Sequence, residues 1–208
     1  MATISYAVTA CSEHEELKRL LDQLIDHKRS VDEIVVQVDY DSVTEEVKKV
    51  LEAYHKDIAT IISYPLKKDF ATFKNNIKSY CKNDYIFFVD ADEYFSENLI
   101  DLLPSVLENN PEVDLFTVPR VNTVEGLTDD HIRQWRWIVD DNQRVNWPDY
   151  QTRLVKNAPN IEWINKVHER ITGYKTQCLF PNTDEDWCLY HPKKIERQEK
   201  QNNFYSTL

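Results

Sequence analysis

Apolar runs suited to buried strands alternate with amphipathic helical segments through the first half of the chain. Four runs rich in β-branched or aromatic residues are typical of strands, at residues 4–8, 34–38, 58–62 and 85–89. The segments between them carry apolar residues at helical spacing. Strict alternation of this kind requires a parallel sheet covered on both faces. We therefore predict an α/β fold with a mostly parallel sheet.

Polar residues suited to capping precede three of the helical segments. Ser12 and Ser42 are each followed three residues later by a glutamate, which is the spacing of a capping box. Asp69 stands where a cap would begin the third helix. We expect helices to begin at these positions.

The strand–helix rhythm ends near residue 114. Residues 115–121 favour one more strand, and shorter strand signals follow at 153–155 and 167–171. The polar tail from Lys193 is expected to end in a helix. We predict one domain with two halves, residues 1–114 and residues 115–208.

The chain holds two glycines in 208 residues, Gly126 and Gly173, far apart. A dinucleotide-binding fingerprint needs three closely spaced glycines, and a P-loop needs two glycines with a lysine. Neither motif can form from this sequence. If the protein binds phosphates, a metal ion and side chains must hold them.

Charge and cysteine content exclude several classes of protein. The formal net charge, 25 − 36 = −11, argues against a protein that coats nucleic acid. Four scattered cysteines lack the paired spacing of a zinc site, and no secretory signal precedes the first strand. No apolar run approaches the roughly 20 residues of a membrane helix. We expect a soluble, cytoplasmic protein with reduced thiols and no membrane span.

Acidic residues follow two of the predicted strands where each strand ends. Asp39 follows the second strand, and Asp90 and Asp92 follow the fourth. Ligands of open parallel sheets bind beyond the carboxyl ends of the strands, and alternate residues of an extended chain share a face. Two such carboxylates suit Mg²⁺ or Mn²⁺, which could bridge to a diphosphate. The plainer alternative is that residues 90–93 cap a helix or lie solvated in a turn.

Several segments together resemble a known family. They are DFATFKN at residues 69–75, YIFFVDADE at 85–93, RLVKN at 153–157, VHE at 167–169 and His191. This set resembles family 2 glycosyltransferases of the GT-A fold, over residues 4 to about 191. NWPDYQ at 146–151 and KVHER at 166–170 are similar to phage-encoded members. Lys74 stands where the family usually has arginine, which keeps the charge but loses a bidentate fork.

The resemblance implies a Rossmann-like sheet with helices on both faces and a smaller C-terminal acceptor-side subdomain. Residues 1–114 would bind a nucleotide-sugar, and residues 115–208 would form the acceptor-binding and catalytic half. The implied nucleotide-sugar-binding residues are Thr9, Ala10, Asp39, Lys74, Asp90 and Ala91. The implied metal-binding residues are Asp92 as direct ligand, Asp90 and His191. The cofactor would be Mn²⁺ or Mg²⁺.

The reaction that the resemblance implies is displacement at the sugar C1 by an acceptor hydroxyl. Such a displacement needs a carboxylate base within hydrogen-bond reach of that hydroxyl. Glu169 is the first candidate and Asp149 the second. Either could instead be an acid that forms a salt bridge with Arg170 or Arg153.

An aromatic and basic segment follows residue 130. Its candidate acceptor-binding residues are Arg133, Trp135, Arg136, Trp137 and Trp147. Aromatic rings stack on sugar faces or on extruded bases, so the segment is interpreted as a lid over the site. The acceptor would be a saccharide or, for a phage-encoded enzyme in its host cytoplasm, a hydroxymethylated DNA base. The alternative is that the tryptophans belong to the core.

The function predicted from these residues is a metal-dependent glycosyltransferase that uses a nucleoside-diphosphate sugar, UDP by default, with inversion. One alternative is a phosphohydrolase of the haloacid-dehalogenase type, in which a strand also ends in Asp-x-Asp. Another is a non-catalytic module that binds a nucleotide or saccharide.

Overall fold

Four parallel strands form one side of the central sheet in the computed structural model, which describes residues 1–205. They are β1 (Ile4–Ala10), β2 (Glu33–Asp39), β3 (Thr60–Tyr64) and β4 (Tyr85–Asp90). Their order across the sheet is β3–β2–β1–β4. Both faces of β1, β2 and β4 are buried, as their apolar sequences require. The four predicted strands are confirmed to within two residues.

Helices cover both faces of these strands. They are α1 (His14–His27), α2 (Glu45–Ala53), α3 (Phe70–Lys78) and α4 (Leu99–Asn109). On one face Leu20 of α1 and Leu103 of α4 share a buried cluster with Phe87 of β4. On the other face Ile77 of α3 packs in a cluster with Phe88. None of the helices in residues 1–205 combines the length and the apolar character of a membrane span.

The second part of the chain extends the same sheet. Its elements are β5 (Tyr94–Phe95), β6 (Leu115–Glu125), α5 (Asp129–Trp135), β7 (Val145–Lys156), β8 (Glu162–Ile164), β9 (Arg170–Thr172), β10 (Gln177–Leu179), β11 (Leu189–Lys194) and α6 (Ile195–Tyr205). The order continues as β4–β7–β6–β11–β5, with β10 beside β6 and β8–β9 as a separate pair. β7 is antiparallel to both neighbours, and its Leu154 pairs with Phe87 and with Phe116. The predicted α/β fold with a mostly parallel sheet is confirmed.

Two of the three predicted helix caps are wrong. The Glu13 carboxylate accepts from the amides of Cys11 and Ser12, and α1 begins only after it. The cap of α2 is Thr44, whose hydroxyl accepts from the amide of Val47. Asp69 caps α3 as predicted. In both failures the helix begins later than predicted, with Glu13 and Thr44 at the N-cap positions.

The strand predictions for the second half are correct in position but not in extent. The strand predicted at 115–121 continues to Glu125, and the signal at 153–155 is the end of the twelve-residue β7. The strand predicted at 167–171 begins only at Arg170. His168 has φ 54°, a left-handed conformation that interrupts extended backbone. The polar tail forms the predicted helix, α6, up to residue 205.

Candidate active site

A cavity of about 870 Å³ opens at the carboxyl edge of the parallel strands. The ends of β1, β2 and β4 line it together with residues of α3, β6, β7, β11 and α6. Ligand sites of α/β sheets lie at this edge. The predicted site residues among its lining are Thr9, Ala10, Asp39, Lys74, Asp90, Ala91, Asp92, Trp137, Asp149, Glu169 and His191.

Asp90 ends β4 opposite Thr9 in the ladder between β1 and β4. The Thr9 hydroxyl donates to Asp90 Oδ1 at 2.8 Å, and Arg153 Nη2 donates to Oδ2 at 2.9 Å. Burial alone would raise the pKa of this carboxyl, but the charges of Arg153 and Lys74 and the hydrogen bond from Thr9 hold it well below its usual range. Asp90 is therefore an anionic acceptor with both oxygens oriented by the protein.

Asp39 is fixed at the end of β2 by backbone amides. Its Oδ1 accepts from the amides of Leu66 at 2.9 Å and Asp41 at 3.3 Å. The residue is buried but lines the cavity. Ala10 and Ala91 add almost no side-chain bulk at the ends of the two central strands, which leaves room beside this carboxylate.

The short strand β5 brings His191 to Asp92. β5 pairs antiparallel with β11, so that Tyr94 lies opposite Tyr190, and their rings stack with centroids 5.0 Å apart. Asp92 precedes β5 and His191 follows Tyr190, so both lie at the same end of this ladder. His191 Nε2 is 3.1 Å from Asp92 Oδ2. Two residues 99 positions apart therefore meet in the cavity.

Asn122 sets which nitrogen of His191 carries the proton. Its Nδ2 donates to Asp149 Oδ2 at 2.8 Å, because an ionised carboxylate can only accept. Asn122 Oδ1 therefore faces His191 Nδ1, 2.8 Å away, and accepts a hydrogen bond from it. In the neutral ring the lone pair is then on Nε2, facing Asp92. A lone pair and a carboxylate oxygen that face each other repel, so a cation between them would stabilise the arrangement.

Three basic side chains approach the same oxygen of Asp92. Besides His191, Arg197 Nη2 lies 3.1 Å and Lys193 Nζ 4.0 Å from Oδ2. Burial alone would raise the pKa of Asp92, but the hydrogen bond and charge of His191 in its imidazolium form, in which Nε2 also carries a proton, and the charge of Lys193 hold it well below its usual range. Asp92 is an ionised carboxylate in strongly positive surroundings.

A buried ionic network supports these residues from behind. Glu93 is fully buried, and its Oε1 accepts from Arg120 Nη1 at 2.9 Å and from Arg153. Its Oε2 accepts from the amide of Asp90 at 3.1 Å. Because a buried carboxylate is stable only with such partners, Glu93 positions both arginines.

Four charged residues in or behind the cavity were not predicted from the sequence: Glu93, Arg120, Lys193 and Arg197. The sequence does contain a signal for Glu93 and Arg120. Two arginines, Arg120 and Arg153, stand inside apolar strands. A charged side chain in such a strand must find a buried partner of opposite charge. No comparable signal marks Lys193 or Arg197, which lie in the polar tail.

The two candidate bases differ in how the protein holds them. Asp149 accepts two hydrogen bonds from one arginine and two from amides. The donors are Arg120, Asn122 and Gln151. Burial alone would raise the pKa of Asp149, but the charge of Arg120 and these bonds lower it. Glu169 accepts one hydrogen bond in the described part of the chain, from Lys74 Nζ at 2.6 Å.

Lys74 lies in α3 with its Nζ between Glu169 and an aromatic ring. The ring is that of Trp163 in β8, whose centroid is 4.4 Å from Nζ. Lys74 is buried yet lines the cavity. The structure thus brings together Lys74 and Glu169, which the sequence assigned to the donor and to catalysis.

The aromatic segment contributes one predicted side chain to the cavity, Trp137. Trp135 stacks on His131 with centroids 4.9 Å apart and contacts the Trp137 ring at 4.7 Å. Neither Trp135 nor Trp147 is part of the lining formed by residues 1–205, and the Trp147 ring lies under Arg144 instead.

The two predicted acceptor arginines also lie outside the lining formed by the described residues. Arg133 pairs with Asp130 at the surface, with its side chain 72% exposed. Arg136 ends α5 in a left-handed conformation, φ 55°. Of the five residues predicted to bind an acceptor, the described structure therefore places one, Trp137, in the lining of the cavity.

The predicted metal ligands meet only in part. Asp92 and His191 face each other, whereas Asp90 is held by Thr9 and Arg153. Among residues 1–205 no group of three or more His, Cys, Asp or Glu side chains is arranged to hold a metal ion. Two of the three predicted metal ligands therefore lie together at this point of the cavity.

Solved structures with a similar fold include S. aureus TarS. One TarS structure aligns with a TM-score of 0.60 and 14% identity, over 91% of this chain and 36% of that chain. TarS 1–349 in complex with UDP-GlcNAc aligns with a TM-score of 0.59 and 12% identity, over 92% and 58%. This chain spans 60% or less of the TarS chains that it matches. At this identity the likeness shows the fold alone, and a comparison with curated proteins finds no match.

The sequence itself carries the stronger evidence. Residues 5–157 match the family described as glycosyl transferase family 2. That range contains the strand ends and the helix that supply Asp39, Lys74, Asp90 and Asp92, and it stops before Glu169 and His191. Because the match covers most of the chain, the protein belongs to glycosyl transferase family 2.

Proposed function

We propose that the chain is a metal-dependent glycosyltransferase that moves a sugar from a nucleoside-diphosphate donor to an acceptor hydroxyl, with inversion at the sugar C1. The observation that carries the proposal is the meeting of Asp92 and His191 in one cavity with Asp90 and Lys74, in a chain of this family. Because TarS 1–349 has been crystallised with UDP-GlcNAc, UDP-sugars are the first donors to test.

The donor's nucleoside fits the ends of β1 and β2. Asp39 presents a carboxylate held by two amides, which can accept from a uracil N–H or a ribose hydroxyl. Thr9 and Ala10 bring backbone close to that carboxylate. Lys74 supplies a positive charge for the diphosphate, in place of the glycine loop that the chain lacks.

The residues present fit a divalent cation by the type and spacing of their donors. The carboxylate oxygen of Asp92 and Nε2 of His191 lie 3.1 Å apart. Adjacent ligands of an octahedral cation with bonds of about 2.1 Å are about 3 Å apart. Mn²⁺ takes both oxygen and nitrogen ligands. When bound, the cation would neutralise charge on the leaving nucleoside diphosphate.

Glu169 is the better candidate for the base. Asp149 is held by four hydrogen bonds and has a lowered pKa, so it accepts a proton poorly and serves to position Arg120. Glu169 is held by Lys74, which can turn to the diphosphate when the donor binds. Glu169 is then available to the acceptor hydroxyl.

A saccharide is the first acceptor to test. Trp137 lines the cavity and gives it an aromatic face, on which a sugar ring can stack. The hydroxymethylated DNA base stays a prediction from the phage resemblance.

The phosphohydrolase alternative is less well supported. It would need Asp90 as a free nucleophile, but that carboxylate is bound by Thr9 and Arg153. Family membership also favours a transferase. The binding-module alternative differs from the proposal only in turnover, so turnover must be measured.

Thermal unfolding with UDP-glucose, UDP-galactose, UDP-GlcNAc and GDP-mannose, each with Mn²⁺, Mg²⁺ or EDTA, tests the donor site. We expect one donor to raise the melting temperature with metal and not with EDTA, since ligands stabilise the state that they bind. Asp92→Asn should abolish the metal-dependent rise. Asp101→Asn, which changes an exposed carboxylate on α4, should keep it. Release of sugar from the stabilising donor is then followed with and without oligosaccharide acceptors.

Three outcomes would contradict parts of the proposal. If none of the donors stabilises the protein, the proposed donor site is wrong. If stabilisation persists in EDTA and in Asp92→Asn, the proposed metal dependence is wrong. If a donor binds but its sugar is transferred neither to water nor to any acceptor, the protein is a binding module and not a transferase.

A further inference from the structure

The last helix, α6, places one arginine inside the cavity. Arg197 Nη2 donates to Asp92 Oδ2 at 3.1 Å and to Glu13 Oε1 at 2.9 Å, and Nη1 donates to Glu16 Oε1 at 3.1 Å. The side chain is 32% exposed, and its guanidinium pairs with three carboxylates. One guanidinium thus ties α6 to the donor side of the cavity and to the start of α1.

The rest of α6 offers little apolar surface to hold it in place. Residues 196–202 are all polar or charged. Two other contacts of the helix are polar as well: Lys193 bonds to Gln201, and His131 lies 3.4 Å from Glu199. Because polar contacts at partly exposed positions are individually weak, the position of α6 depends on the charges around it.

A divalent cation on Asp92 would compete with Arg197 for the same oxygen. Like charges this close repel each other strongly in a cavity that is partly shielded from water. His191 can remain, because its Nε2 carries the lone pair in the neutral ring. Lys193 is buried on β11, whereas Arg197 lies on the polar helix. Arg197 is therefore the group free to leave.

We propose that Arg197 is a further ligand of the donor's diphosphate, which it binds after leaving Asp92 to the divalent cation. This inference rests on the proposed function and adds a residue to its donor site. The planar fork of a guanidinium can donate to two phosphate oxygens at once, which a lysine cannot do. Arg197 would thereby make a bidentate contact, which Lys74 is unable to make.

Calorimetric titrations of wild type and Arg197→Gln with MnCl₂ alone, and with UDP and uridine in the presence of MnCl₂, test the inference. We expect Arg197→Gln to weaken UDP roughly tenfold to a hundredfold, the usual effect of a lost hydrogen-bonded charge. Uridine, which has no phosphate, should bind both proteins equally. Mn²⁺ alone should bind Arg197→Gln more tightly, because its competitor on Asp92 is gone.

Two further variants separate this role from a general effect of charge. Arg197→Lys should recover only part of the UDP affinity, since it restores the charge without the fork. Lys194→Gln removes a charge from an exposed residue beside α6 that is not part of the cavity lining in the described structure. It should bind UDP as wild type does.

The outcomes distinguish this inference from the proposed function. If wild type and Arg197→Gln bind UDP equally well in the presence of Mn²⁺, the inference is wrong and the proposed function still stands. Equal weakening of UDP and uridine, or weaker binding of Mn²⁺ by Arg197→Gln, also overturns it, because the arginine would then be structural. If wild type binds neither UDP nor Mn²⁺, the proposed function fails and the inference fails with it.

Discussion

The proposed donor side and the proposed acceptor side of the cavity are built in different ways. On the donor side Asp39 and Asp90 are the last residues of β2 and β4. Their positions follow from the ladders of the parallel sheet, and backbone amides or a neighbouring strand hold their carboxylates. On the acceptor side Glu169 follows His168 and Trp137 follows Arg136, both of which have left-handed φ.

This difference has a consequence for specificity. A strand end can be displaced only by disturbing the sheet, so the donor carboxylates have a fixed geometry. Residues in irregular segments can change with little effect on the core. We therefore expect the donor carboxylates to stay fixed and the acceptor side to decide which hydroxyl reacts.

The largest expected effect separates chemistry from donor binding. Glu169→Gln should lower kcat roughly a hundredfold to ten-thousandfold, the usual range for a lost general base. Its affinity for the donor should change far less than kcat, because the amide oxygen of the new glutamine can still accept from Lys74, the proposed diphosphate ligand that Glu169 contacts. Steady-state kinetics with the donor found by thermal unfolding, together with a titration of that donor, measure both quantities.

The control for this variant is Glu162→Gln, an exposed glutamate of β8. It should retain wild-type turnover. If Glu169→Ala keeps most of the turnover, Glu169 is not the base. A drop in Asp149→Asn with none in Glu169→Gln would transfer the role of base to Asp149.

The donor carboxylates were predictable because their signal is local. An apolar strand followed at once by an acid gives Asp39, Asp90 and Asp92 from a few neighbouring residues, and the sheet then gathers them at one edge. The caps show the limit of local patterns, since the Glu13 side chain reaches back to the amides near Ser12.

The remaining site residues depend on pairings that no local pattern contains. His191 reaches Asp92 through the two-residue strand β5, and only the family resemblance pointed to it. Arg197 reaches the same carboxylate from the last helix, 105 positions away. Trp135 and Trp147 look like acceptor residues in sequence, but the structure turns them to His131 and Arg144.

Asp149 belongs to the fixed part of the site if its charge stabilises the folded protein. Its pKa is lowered in the folded protein by Arg120 and its hydrogen bonds, against about 3.9 for an unfolded aspartate. A carboxyl with a lowered folded pKa stabilises the protein above its unfolded pKa. That stabilisation is lost as the pH falls through the folded value.

Asp149→Asn should therefore cost about 1–3 kcal/mol of unfolding free energy at pH 7, and less as the pH falls below about 4. Urea unfolding of both proteins between pH 7 and pH 3 measures the difference. Asp141→Asn, at an exposed position in the turn before β7, is the matched control and should show no such trend. A difference that stays constant with pH would mean that Asp149 contributes through its shape and not its charge.

The smallest expected effect concerns the aromatic face of the acceptor side. Trp137→Ala should raise the acceptor KM roughly threefold to tenfold, which corresponds to the loss of one stacked ring, and leave donor affinity unchanged. Tyr174→Ala, an exposed ring elsewhere on the protein, is the control. Kinetics at saturating donor with a series of oligosaccharides measure the change.

If Trp147→Ala raised KM as much as Trp137→Ala, the acceptor surface would extend beyond the cavity. A change in donor affinity instead would mean that the two sides of the cavity are not separate.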